Sequence, residues 1–262
     1  MATYAFQQIT DAQRISGGQV AFKPKGSNKY VSLGSCPSVE FTPNITEVES
    51  YSAEFGDRRL IGSWAVGKDG TINLTVESWT EILYQALFMS EKKYIKQAAV
   101  TSATMTIEDV AVGDIFKIDG MNPIIVEITD GDTGSLVEDE HYTVHRTGFV
   151  EVIALPEGFG SDAIVEYELP EITEADKLLD LGIMAMSGVR GELVVVGVVA
   201  DGMPGSETEQ TYWDVELRPS GAVPSIDTEN LNSATLTGRV FATSGKGAGK
   251  SYGQMRSIPK AA

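Results

Sequence analysis

The stretch SGKGAGKS, residues 244–251, comes nearest to a recognised chemical device. A loop of the form G-x-x-x-x-G-K-[ST] cradles phosphates with backbone N–H groups and a lysine. Gly249, Lys250 and Ser251 satisfy that form, but Ser244 stands where its first glycine belongs, and no periodic helix follows. Nucleotide binding is therefore not expected. His141 and His145 are four apart, which on a helix would face one metal ion. Their surroundings alternate like a strand, where such positions lie about 13 Å apart, too far for one ion. DGDTG, residues 130–134, has the oxygen-rich character of a calcium loop without its twelve-residue pattern. VEDEH, residues 137–141, offers paired carboxylates, which do acid–base work only in unlike, partly buried settings. No Ser–His–Asp or Cys–His set stands out, and Cys36 is the sole cysteine. The chain is expected not to be an enzyme and to hold no metal or cofactor.

Charge bounds the partners. The 262 residues carry a net −17, which argues against gripping a nucleic-acid backbone. Residues 101–170 hold 15 acidic and 2 basic side chains, and the remaining 192 residues hold 22 and 18. That asymmetry marks residues 101–172 as a separate acidic module inserted into a discontinuous core of residues 1–100 and 173–243. Residues 244–262 hold four basic and no acidic side chains, and read as a flexible basic arm. No run of about 18 apolar residues is present, so no membrane span is expected. MATYAFQQITDAQR lacks a basic start and an apolar stretch, so no secretory signal is expected either.

The elements are mostly strands. Residues 20–22, 29–33 and 38–42 are short strand candidates, followed by a mixed, poorly periodic stretch at 45–68 that reads as two strand ends and an extended loop. Ile72, Leu74 and Val76 then alternate with polar residues. From Trp79 the period changes, and Trp79, Ile82, Leu83, Ala86 and Leu87 form one helical face packing on the core. Ser78 and Glu81 have the S-x-x-E spacing of a helix cap, and Lys92, Lys93 and Lys96 would sit near the helix's C-terminal end. The turn RTG, flanked by Tyr142 and Val144 and by residues 149–153, reads as a hairpin. Residues 164–169, 191–199, 211–218 and 234–243 are further strands, and 173–186 is a short helix or connector.

Taken in order, these stretches resemble the major tail tube proteins of long-tailed, siphovirus-like bacteriophages. KYVSLGSCPSVEFTPNITEVES resembles the family's opening hairpin, and SYSAEFGDRRLIGSWAVGKDGTINLTVESWTEILYQALF its long loop, strand and capped helix. DEHYTVHRTGFVEVI resembles the hairpin of a common insertion, and residues 191–243 resemble the closing strands. The resemblance implies a mainly β fold, a tail-tube-type β-sandwich with one flanking α-helix and a small inserted β subdomain. It implies hexameric rings stacked into a virion tail tube, a conduit for double-stranded DNA assembled in the host cytoplasm. Partners would be the chain itself, tape measure, tail terminator and distal tail or baseplate proteins, with genomic DNA passing through unbound. Residues 45–68 would reach the neighbouring ring, with Glu47, Glu49, Glu54, Asp57, Arg58 and Arg59 forming ion pairs there. A tube protein of a contractile tail, a β-rich adhesin or carbohydrate-binding module, and an acidic hydrolase remain as alternatives.

Overall fold

The computed structural model describes residues 16–52, 56, 58–131, 134–199, 206–223, 225 and 232–259. The fold is mainly β, with antiparallel sheets and one short α-helix. The chain divides into two compact units, residues 1–91 with 181–262, and residues 92–180.

The first unit is built on one sheet. Its strands are β1 (Ser16–Pro24), β2 (Val31–Ser32), β3 (Ser38–Ser52) and β4 (Arg59–Val76). The later ones are numbered in chain order as β12 (Val189–Val199), β13 (Ser206–Pro219), β14 (Ala234–Val240) and β15 (Gly253–Pro259). They pair in the order β2-β1-β12-β13-β14-β4-β3, and β15 continues the lane of β14 along β13. Alternation decides which face is buried. Val20 and Phe22, Ile72, Leu74 and Val76, Val215 and Leu217, and Leu236 and Val240 all point to one core, while the residues between them face away. Strands from opposite ends of the pairing order share that core, so the sheet must curl. The segment after β2 ties the ends together: Leu33 N–H donates to the Val20 carbonyl, and Glu77 N–H to the Ser35 carbonyl. The expected arm at 244–262 contains β15, whose ladder along β13 satisfies its backbone.

Helix α1 (Glu81–Phe88) plugs the same core with Ile82, Leu83, Ala86 and Leu87. Two expectations about its ends are corrected. The cap is Thr80, whose hydroxyl accepts from Leu83 N–H at 3.3 Å. Ser78 cannot serve, because its hydroxyl accepts Ser35 N–H at 2.8 Å; Glu81 is the first helical residue. Trp79 precedes the helix, half-buried against the core, with its indole N–H on the Asn232 carbonyl. At the other end Met89 turns left-handed at φ 49°, and Met184 and Met186 N–H groups bond the Phe88 and Met89 carbonyls. The lysines expected there belong to the other unit.

That second unit contains β5 (Val100–Ile107), β6 (Ile115–Lys117), β7 (Ile124–Thr129), β8 (Ser135–Leu136), β9 (Tyr142–Val144), β10 (Phe149–Val152) and β11 (Ala163–Leu169). They form a sheet β5-β11-β7-β8 and a sheet β6-β10-β9 around one core that includes Ile118, Ile128, Val150 and Val165. The RTG hairpin is β9–β10. The unit begins and ends outside the expected 101–172, because its entry and exit segments pair: Gln97 bridges Ile172, and Tyr94 bridges Leu179. Lys96 pairs with Glu174 at 2.7 Å and Lys93 with Asp180 at 3.8 Å. Residues 173–186 hold only a 3₁₀ turn, Glu174–Asp176. By sequence this unit carries 19 carboxylates against 6 basic side chains.

Candidate assembly surfaces

The stretch expected to hold two strand ends and an extended loop is a hairpin. β3 and β4 pair continuously from Ser38↔Thr75 to Ser52↔Arg59. Pro43 is tolerated because β3 is an edge strand, where a missing N–H breaks no second ladder. Two extra residues in β4, Val66 and Ile61, bulge out of the register, and bulges bend and twist a strand. β14 covers β4 only from Gly70 to Val76. Beyond Gly70 the hairpin stands on its own two strands, a length of about 35 Å at 3.3 Å per residue.

Among the described residues that projection is largely exposed, and many of its side chains are apolar. Ile61 is 66% exposed, Val66 63% and Trp64 57%, with Ile45, Val48 and Leu60 exposed beside them. Val48 stands opposite Trp64, whose indole lies over Gly62, so these share one face. The other face carries Ile45, Glu47, Glu49 and Tyr51. An isolated two-stranded hairpin is marginal in water, and an exposed apolar edge is a pairing template. The geometry is that of an element completed by another surface.

The candidate ion-pairing residues have local partners. Glu47 accepts from the Ser63 hydroxyl at 2.6 Å, and Glu49 from the Tyr51 hydroxyl. Arg58 lies over the Tyr51 ring at 4.1 Å. Arg59 ends the ladder opposite Ser52. Glu54 and Asp57 lie outside the described residues.

A second surface is the sheet face turned away from the core. β1, β12, β13, β14 and β15 carry one basic residue each, and each one meets a carboxylate. Lys23 pairs with Glu192 at 2.7 Å, Arg190 with Asp214 at 2.6 Å through two nitrogens, and Arg218 with Glu216 at 3.0 Å. Arg239 and Asp69 stand at 3.5 Å, Arg256 and Glu209 at 3.8 Å. Burial pulls the Glu192 carboxyl up, but bonds from Lys23 and Tyr30 outweigh it and hold the group below its usual range. The Ser187 hydroxyl and then Arg218 hold Glu216 down against its burial. Half-exposed pairs stabilise little; their main effect here is to cancel every positive charge on these strands. The neighbouring outer positions of β14, β4 and β3 carry no further cation, with Thr237 opposite Asn73, Thr42 opposite Thr71, and the Glu40 carboxylate on the other side of Asn73.

The chemical lures resolve into structural roles. Gly245, Gly247 and Gly249 take positive φ in the turn that leads into β15. His141 Nδ1 accepts Val137 N–H, and His145 Nδ1 accepts Thr147 N–H. The Asp130 carboxylate accepts Gly134 and Gly160 N–H groups. Among the described residues no cluster of three or more His, Cys, Asp or Glu is placed to hold a metal ion, and no helix is long and apolar enough to cross a membrane.

The chain belongs to a protein family whose model covers nearly its whole length. Its model, described as protein of unknown function UCP028589, matches residues 15–258. No curated protein matches the chain.

Proposed function

We propose that this protein is a structural subunit that joins copies of itself into a tube, and that the tube is the conduit of a phage tail. The observation that carries the reading is the β3–β4 hairpin, an exposed two-stranded projection rich in apolar side chains. Burying it against a second copy removes both the apolar surface and the open edges. Because the hairpin is one surface and its receptor another, the contact is head-to-tail and propagates into rings or filaments.

The paired-charge face supports the conduit. Duplex DNA binds proteins through unpaired lysines and arginines. A wall whose cations are already neutralised, with surplus carboxylates and short hydroxyl side chains between them, offers phosphates nothing to hold. Screening confines this to about 8 Å at physiological salt, so the wall must be paired residue by residue, as it is here. In a phage tail the further partners are tape measure, terminator and distal tail proteins.

Negative-stain electron microscopy of the purified protein, dilute and concentrated, tests the reading. Hollow tubes or sixfold rings are expected. Particles that stay compact and single at every concentration, and that bind glycans on an array, would replace it with the adhesin reading.

A further inference from the structure

Beside the hairpin's root the first unit has a groove of about 540 Å³, walled by Phe41 of β3, Tyr212 of β13, and Tyr252 and Met255 at β15. The Phe41 and Tyr212 rings meet at 5.3 Å. A further hollow of about 280 Å³ adjoins it through Val39 and Gln210 and takes in Cys36 and Thr208. None of the residues lining either space carries a charge, in a chain where 22% do. Among the described residues β15 pairs only with β13, so among these its other edge is left without a ladder, and Gly253, Gln254 and Met255 of β15 line the groove.

We propose that this groove is the receptor for the β3–β4 hairpin of a second copy, seated by the face that carries Thr46, Val48, Ser50 and Trp64. The inference rests on the reading of the chain as a self-assembling tube subunit and names where its copies meet. Three features match. The groove is uncharged, and the central part of that hairpin face, Thr46 to Ser50 with Gly62 and Trp64, carries no charge either, with Arg59 at its far end, whereas the opposite face carries Glu47 and Glu49. Both surfaces keep unpaired strand edges, the requirement for adding a strand to a sheet. Copies with a net charge of −17 repel one another, so a stable contact has to form where neither side is charged. The chain's own hairpin cannot fill the groove with that face: Val48 lies seven residues up β3 from Phe41 in the groove wall, about 23 Å away.

The single cysteine reports on the contact. Cys36 is partly exposed in the hollow that adjoins the groove. Burial, with the Glu77 carboxylate nearby, pushes its thiol up to about 11, so maleimide labelling is run at alkaline pH, where more thiolate is present. In the full-length protein Cys36 should label about tenfold more slowly in assembled material than in dilute monomer, since the groove opens only on dissociation. The Val48→Glu variant, with its circular dichroism unchanged, should stay monomeric and label fast at all concentrations. Assembled particles that label at the monomer rate would overturn the proposal while leaving the tube reading in place. Slow labelling in the dilute monomer, relieved by deleting residues 1–15, would give the groove to the chain's own N-terminal segment and overturn it too. A protein that never assembles and labels at one rate would remove both readings.

Discussion

Replacing Trp64 with alanine should separate folding from assembly. A tryptophan offers about 250 Å² to bury. In the single chain 57% of it remains exposed, which leaves about 140 Å² for a partner to cover. At about 25 cal/mol per Å² that is about 3.5 kcal/mol, or about 3 after the share alanine keeps. A factor of ten accompanies each 1.4 kcal/mol, so each hairpin contact should weaken about 100-fold. Folding should hardly change, because the indole is largely exposed and lies over Gly62 opposite Val48 at the surface; a loss of about 0.5 kcal/mol is expected. Urea denaturation of dilute protein measures the second quantity, and light scattering against concentration measures the first. A Trp64→Ala protein that assembles at the wild-type threshold would refute the assignment of the hairpin as the joining element. One that loses several kcal/mol of fold stability would show that the indole is packed within the chain.

Three other perturbations probe the frame. Thr80→Ala should cost about 1 kcal/mol in urea denaturation, because it orphans the Leu83 N–H; an unchanged midpoint would remove Thr80 from the cap. Leu236→Ala and Ile118→Ala each empty a fully buried site in a different core, so calorimetry should show each lowering its own transition by about 2–5 kcal/mol, and a single shared shift would show that the units fold as one. Glu192 and Glu216 are held below their unfolded pKa, so their stabilisation is present above about pH 4.3 and is lost as the pH falls through their folded values. Glu216→Gln should therefore narrow the stability difference between neutral and acid pH, and an unchanged acid-unfolding curve would sink the coupling.

How much was legible in the sequence follows from what each segment buries. Ile72, Leu74 and Val76 alternate because one face of β4 meets the core there, and the helix shows its period through Ile82, Leu83, Ala86 and Leu87 for the same reason. Ten residues up the same strand the rhythm fails, and the hairpin passes for a loop. Nothing is buried on either side to enforce alternation, and the bulges at Val66 and Ile61 shift the phase twice. The helix cap was misplaced because Ser78 and Glu81 have the right spacing, while the group competing for the Ser78 hydroxyl, Ser35 N–H, lies 43 residues away in sequence. The inserted unit's ends were missed because isolated bridges such as Gln97–Ile172 have no period to read.

The charge pattern shows a subtler limit. Composition placed the excess of carboxylates in the inserted unit and left the remainder only slightly acidic, a sum that says nothing of how the core's charges are arranged. Pairing shows the arrangement. The basic residues of β1, β12, β13, β14 and β15 are spread from Lys23 to Arg256, and four of their carboxylate partners sit on other strands, brought opposite by register alone. A near-zero sum can hide a scattered surface that would snag a polyanion or an ordered one that would not, and only topology tells them apart. The distinction can be measured: Glu209→Gln with Glu192→Gln would free Arg256 and Lys23 without touching the core. If the outer face works by cancelling its cations, this double variant should retain a DNA oligonucleotide at low salt, with retention falling steeply as salt rises, while the wild type retains none. Equal retention by both would mean that the pairing serves the sheet and not the passage of DNA.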